Sequence, residues 1–199
     1  MSDKSAIVIG AGVGGLSCAC YLAQEGMQVT VVEKNEQIGG RASVLEKEGF
    51  KFDMGPSWYL MPDVFERFFE FFDRKPEDYY EIIRLDPHYR IFFKDRETVD
   101  IVADVEQNKL VFEEIEKGAG EALGRYLDNS KRTYELGMQN FVYKDRPRLR
   151  DYISLDVLLN ANKISLFGSM QKHVNKYFLD SKLQQIMQYT LVFLGGSPK

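Results

Sequence analysis

Residues 6–15 read Ala6-Ile7-Val8-Ile9-Gly10-Ala11-Gly12-Val13-Gly14-Gly15, a run of mostly β-branched residues that breaks into four glycines within six positions. Downstream, Leu16, Ala19, Leu22 and Ala23 recur at helical spacing up to Gly26, and Val29-Thr30-Val31-Val32 forms a second apolar run. The pattern predicts strand, tight turn, helix and strand, a βαβ unit completed by residue 33. Parallel strands covered on both faces read as nearly continuous apolar runs, as both of these do. No charged side chain lies between Lys4 and Glu25, so a hydropathy window could take the segment for a membrane span or a signal core. The glycines argue against both, because they interrupt the run at its centre, where a helix loses stability.

Gly10, Gly12 and Gly15 make G-x-G-x-x-G. In that pattern the first glycine permits the turn, the second lets backbone approach a pyrophosphate, and the third allows close helix–strand packing. The anion would rest on the helix N-terminus, beside Val13 and Gly14. The motif falls at the predicted strand-to-helix junction. Glu33 ends the second strand 18 residues beyond Gly15, where a carboxylate accepts from the ribose hydroxyls of an adenosine and repels the 2′-phosphate of NADP. The fold expectation is therefore α/β and Rossmann-like. After Glu33 and Lys34 comes Gly39-Gly40-Arg41, a second close backbone approach beside a cation able to pair with phosphate, which a bare nicotinamide-binding fold does not need. Residues 42–53 read as two short strands around Gly49 and lead into Gly55-Pro56-Ser57, a side-chain-poor stretch against which a flat ring could lie. The candidate cofactor-binding set is Gly10, Gly12, Val13, Gly14, Gly15, Glu33, Lys34, Gly40, Arg41, Gly55, Pro56 and Ser57.

Composition excludes other classes. The 199 residues carry 26 basic against 30 acidic side chains, net −4, so no positive field argues for a nucleic-acid partner. The two cysteines, Cys18 and Cys20, match no metal or redox spacing and favour a reducing, cytoplasmic setting. Two histidines 85 positions apart make a histidine metal centre an unattractive reading, and no metal site is expected.

The run GAGVGGLSCACYLAQEGMQVTVVEKNEQIGGRAS at 10–43, continued by FKFDMGPSWYLMPDVFERFF at 50–69, resembles the N-terminal part of the FAD-dependent phytoene desaturases, flavoenzymes of carotenoid formation related to the amine oxidases. The similarity is dense over the first 75 residues and thin afterwards, returning in Gly195-Gly196-Ser197-Pro198. It implies FAD as cofactor and a long apolar polyene as substrate, with a hydride passing to the flavin and a proton to a nearby base. It also implies an N-terminal portion of a longer enzyme, incomplete and inactive alone. Independently, parallel-sheet topology would leave such a portion with an unpaired edge and uncovered apolar surface, and so prone to self-association. Residues 1–75 would be the first part of the FAD domain, and 76–199 part of an inserted α+β substrate domain. Two other readings stay open: a carotene isomerase using reduced FAD, and a nucleotide-binding module that needs a partner chain.

In 62–73 the aromatics Phe65, Phe68, Phe69, Phe71 and Phe72 form a helical stripe, read first as packing core and second as a contact for an apolar substrate. Residues 82–85, 89–93 and 98–102 look like short strands. Asp104 is a plausible cap for a helix to Lys117, Gly118 and Gly120 should break it, and a second helix follows. The cationic 144–151 segment reads as a connecting loop. The resemblance makes Asp151, with Arg148 or Arg150, a weak candidate for a group near the flavin. Residues 163–194 are helical in pattern, with Ile164, Phe167, Met170, Val174, Tyr177 and Phe178 on one side and Lys163, Lys172, Lys176 and Lys182 elsewhere, a basic amphipathic face. Such a face is read first as the charged outer side of an ordinary core helix and second as a surface that rests on the cytoplasmic face of the cell membrane, where a carotenoid dissolves.

Overall fold

The computed structural model describes residues 4–55, 58–143, 145, 148, 168–191 and 195–197. They form two compact units, 1–83 and 84–199.

The first unit begins with β1 (Ser5–Ile9), α1 (Val13–Gln24) and β2 (Gln28–Val32). The strands pair in parallel, Ser5 opposite Gln28 through Ile9 opposite Val32. Helix α1 ends where Gly26 turns to positive φ and donates its amide to the Ala23 carbonyl. Strand alternation sends Val8 toward α1, where it lies beside Gly15, and turns Ile7 and Ile9 to the other face. That other face is open: Ile7 is 71% exposed and Ile9 88%. The expectation of strands buried on both faces is thus met on one side only, because α1 layers one face of a two-stranded sheet.

A hairpin follows, β3 (Val44–Lys47) and β4 (Phe50–Asp53), closed by Glu48 and Gly49, both at positive φ as a two-residue turn with the hairpin's own twist requires. Helix α2 (Pro62–Glu70) starts on a proline, whose fixed φ suits the first helical position. Its aromatic stripe packs ring on ring: Tyr21 of α1 meets Phe68 and Phe71 edge-on, at centroid separations of 5.7 and 4.6 Å. The core reading of that stripe is corrected in degree, since no residue of α2 is fully buried. Tyr79 packs tilted on Phe69, Tyr80 meets the same ring edge-on, and Pro76 is buried, so residues 76–83 belong to the first unit. The division consequently falls eight residues beyond the boundary drawn at 75 from sequence.

In the second unit, β5 (Tyr89–Phe92) and β6 (Thr98–Ile101) form an antiparallel ribbon on which Arg90 grips Asp100 through two hydrogen bonds of 2.5 and 2.7 Å. The strand expected at 82–85 does not form. Ile83 and Leu85 are exposed and have no ladder partner among the described residues. Helix α3 (Val105–Ile115) is capped by Asp104, whose carboxylate accepts the amides of Glu106 and Gln107. Gly118 at positive φ separates it from α4 (Ala119–Gly137). Gly120 does not break the chain as expected. It sits in the first turn of α4 against the Lys109 carbonyl and lets α3 and α4 approach closely.

The helical pattern expected over 163–194 takes the form of two helices among the described residues, α5 (Met170–Val174) and α6 (Ser181–Gln188). Between them Glu116 of the α3–α4 connection accepts the amides of Leu179 and Asp180, and Asp180 caps α6 through the amides of Lys182 and Leu183. Turning the chain there drives Val174, Phe178 and Leu183 into one core with Phe112, Leu123, Tyr126 and Ile186. Ile164, Phe167 and Lys163 lie outside the described residues.

Candidate functional site

The first unit brings its two glycine turns together. Gly39 donates its amide to the Ala11 carbonyl at 2.8 Å, and Gly12 and Gly39 form an isolated parallel bridge. Gly40 has φ +60°, and a Cβ there would stand 3.2 Å from the Gly12 Cα, so a side chain is disfavoured by both conformation and space. Gly10 donates to the Val32 carbonyl at 2.7 Å and ties the first turn to the end of β2. No side chain caps α1: Gly12 is its N-cap, and the first turn holds no acidic residue. That helix end, with Val13 and Gly14 exposed on it, keeps its partial positive charge for an anion from outside the chain.

Glu33 stands at the exit of β2, half-buried, with its carboxylate turned into the turn. Oε2 accepts the Ala11 amide at 2.7 Å, and Oε1 accepts both the backbone amide and the side-chain Nδ2 of Asn35 at 3.0 Å. The Ala11 amide, then that of Asn35, hold the carboxyl below its usual range, with smaller help from Lys34. Lys34 itself is exposed. Arg41 is exposed on a short 3₁₀ turn, Gly40–Ala42, directly after the bridged glycines. Gly55 is explained by its own chain, since a Cβ there would fall 2.1 Å from the Arg41 carbonyl oxygen. That contact carries the strand β4 exit to the back of the Arg41 turn. Pro56, Ser57, Arg150 and Asp151 lie outside the described residues, and Arg148 is exposed. Ala11 and Asn35 were missed from sequence, and Gly39 was read there as half of the Gly-Gly pair without its bond to Ala11. An asparagine two positions after a strand-ending carboxylate was the one available signal, because its side chain can reach back to the residue two before it.

A parallel βαβ unit with a glycine turn at the first strand end and a carboxylate at the second is a Rossmann-like dinucleotide-binding unit, and residues 8–74 match the NAD(P)-binding Rossmann-like domain family. Over its full length the chain matches carotenoid desaturases. It is 60% identical to the carotenoid 3,4-desaturase of Haloarcula japonica, covering 100% of this chain and 40% of that protein. It is 35% identical to the zeta-carotene-forming phytoene desaturase of Myxococcus xanthus, over 96% of this chain and 37% of that one. A phytoene desaturase of Phycomyces blakesleeanus is also 35% identical, over 98% and 34%. The chain therefore spans well under half the length of these relatives. Among solved structures, a putrescine oxidase redesigned in its cofactor binding aligns with a TM-score of 0.52 at 17% identity, over 94% of this chain and 36% of that one, a likeness of fold.

Proposed function

We propose that this chain is the nucleotide-binding portion of an FAD-dependent carotenoid desaturase, an oxidoreductase whose substrate is phytoene or a related long polyene. The observation that carries the reading is the pair of glycine turns pinned through Gly39 and Ala11, with the Glu33 carboxylate held at their side. One turn presents the uncapped end of α1 to a pyrophosphate, and the other places the Arg41 cation beside it. Glu33 is disposed to accept from the adenosine ribose, and its negative charge disfavours a 2′-phosphate. When bound, FAD would supply the acceptor for the hydride removed from a saturated carbon–carbon unit; the chain's own residues here bind and orient it. The names of the similar proteins support a carotenoid substrate.

We further propose a peripheral position on the cytoplasmic face of the membrane, supported by the apolar character of such a substrate and by the exposed Lys172 and Lys176 on α5 and just after it. Lys182 is not available for this, because it pairs with Asp95 at 2.7 Å and with Glu97. Among the described residues no helix is long and apolar enough to cross a membrane.

The test is flavin retention by the full-length protein. Replacing Gly12 with a bulky residue should abolish flavin absorbance after purification, because the new side chain enters the space between the turns. Arg41→Ala should lower FAD affinity roughly ten- to a hundredfold by removing a charge-assisted contact. Lengthening of the polyene chromophore by the intact protein separates desaturation from isomerisation. Full flavin occupancy in the Gly12 variant would overturn the site.

A further inference from the structure

Glu33 is the carboxylate assigned to the ribose, yet it spends most of its accepting capacity on its own chain. An ionised carboxylate offers about four acceptor directions, two on each oxygen. Asn35 fills both directions of Oε1, through its backbone amide and its side-chain Nδ2, each at 3.0 Å. The Ala11 amide fills one direction of Oε2 at 2.7 Å. The Lys34 amide acts on the carboxylate more weakly than these. Oε2, on which Ala11 is the donor within hydrogen-bond distance, is the oxygen left to accept from outside, and it already touches the glycine turn. A free carboxylate can rotate about its last bond and present either oxygen; this one is fixed by donors on two sides.

We infer that Asn35 is a positioning residue of the nucleotide site: by holding Oε1 it leaves a single direction on Oε2, so that Glu33 accepts one ribose hydroxyl in a fixed place beside the first glycine turn. This rests on the reading of that turn as an adenine-nucleotide site. The side-chain amide is suited to the task because it donates without carrying charge, so it orients Glu33 without cancelling the repulsion toward a 2′-phosphate. An aspartate at position 35 would keep the shape, lose the donor and set a like charge against Glu33. A serine would keep one short donor.

Asn35 is exposed, so substitution there removes no core packing. The measurement is calorimetric titration of the cofactor-free full-length protein with ADP, 2′-deoxy-ADP and 3′-deoxy-ADP, for the natural protein and for Asn35→Asp, Asn35→Ala and Asn35→Ser. The natural protein should prefer ADP over one of the two deoxy analogues by roughly tenfold or more, since a hydroxyl bonded to a fixed carboxylate is being removed. Asn35→Asp and Asn35→Ala remove the Nδ2 donor and keep the backbone amide on Oε1, so they should reduce that preference severalfold while leaving affinity for the disfavoured analogue nearly unchanged. Asn35→Ser should recover part of it. Equal weakening of all three ligands by the Asn35 variants, or an undiminished preference, would overturn the positioning role while leaving the site in place. Failure of the natural protein to bind any of the three, or binding unaffected by a bulky residue at Gly12, would overturn the site and the inference with it.

Discussion

The Cβ of any residue other than glycine at position 15 would lie 2.0 Å from the carbonyl oxygen of Gly10. The first turn of α1 is thus seated directly on the end of β1, and the cradle is shaped by what Gly15 lacks. One position earlier, a Cβ on Gly14 would meet nothing within 4 Å. Gly15→Ala should destabilise the protein by about 1 to 3 kcal/mol, as overpacking against backbone does. Gly14→Ala should be neutral or stabilising by up to about 1 kcal/mol, the helix-propensity difference. Thermal or denaturant unfolding of the two variants decides, and equal losses would contradict the packing of α1 on Gly10.

Glu33 should make the protein more stable above its ordinary value, pH 4.5, than below it. Its folded pKa is lowered, chiefly by the Ala11 amide, so its contribution is complete above 4.5 and disappears as pH falls through the folded value. Glu33→Gln lacks this component. The stability gap between the natural protein and this variant should therefore narrow on acidification below pH 4.5, in denaturant titrations at a series of pH values.

His173 should act on stability at milder acidity. Its Nδ1 is buried with no partner among the described residues, its ring packs near Tyr126 and Tyr177, and burial, then the Lys176 charge, lowers its pKa from 6.5. A lowered histidine favours the folded state fully above 6.5, and the benefit is lost as pH falls from 6.5 toward the folded value. Melting temperature should decline across that window in the natural protein and less in His173→Phe.

Phe178 and Leu179 are neighbours with opposite roles, the first 0% exposed and the second 83%. Phe178→Ala opens a cavity against Phe112 and Tyr126 and should cost about 3 to 5 kcal/mol. Leu179→Ala should stay within about 0.5 kcal/mol. Unfolding curves of both variants check the placement of the turn between α5 and α6.

The open face of the β1–β2 sheet should drive self-association of the 199-residue chain made alone. Light scattering should report dimers or larger species, and Ile7→Lys should shift them toward monomer. A monomeric natural chain would show that this face is innocuous in solution.

The sequence by itself determined the βαβ unit, the glycine cradle and the place of Glu33, because these rest on local rules: apolar runs make strands, glycines permit the turn, and a carboxylate at the second strand end is two short elements away. Asp104 and the Tyr89–Phe92 and Thr98–Ile101 ribbon were legible for the same reason. Only the tertiary structure decided that residues 82–85 stay unpaired and that the tail turns at Asp180, since one depends on a partner strand and the other on Glu116, 64 positions away. Periodicity cannot see a carboxylate that distant. It also could not place Gly39 on Ala11, or Ala11 on Oε2 of Glu33, whereas Asn35 on Oε1 is a local contact between residues two apart. The Ala11 contacts are made when two turns, each readable alone, are folded against one another, and a backbone group that takes part in them leaves no mark in residue type.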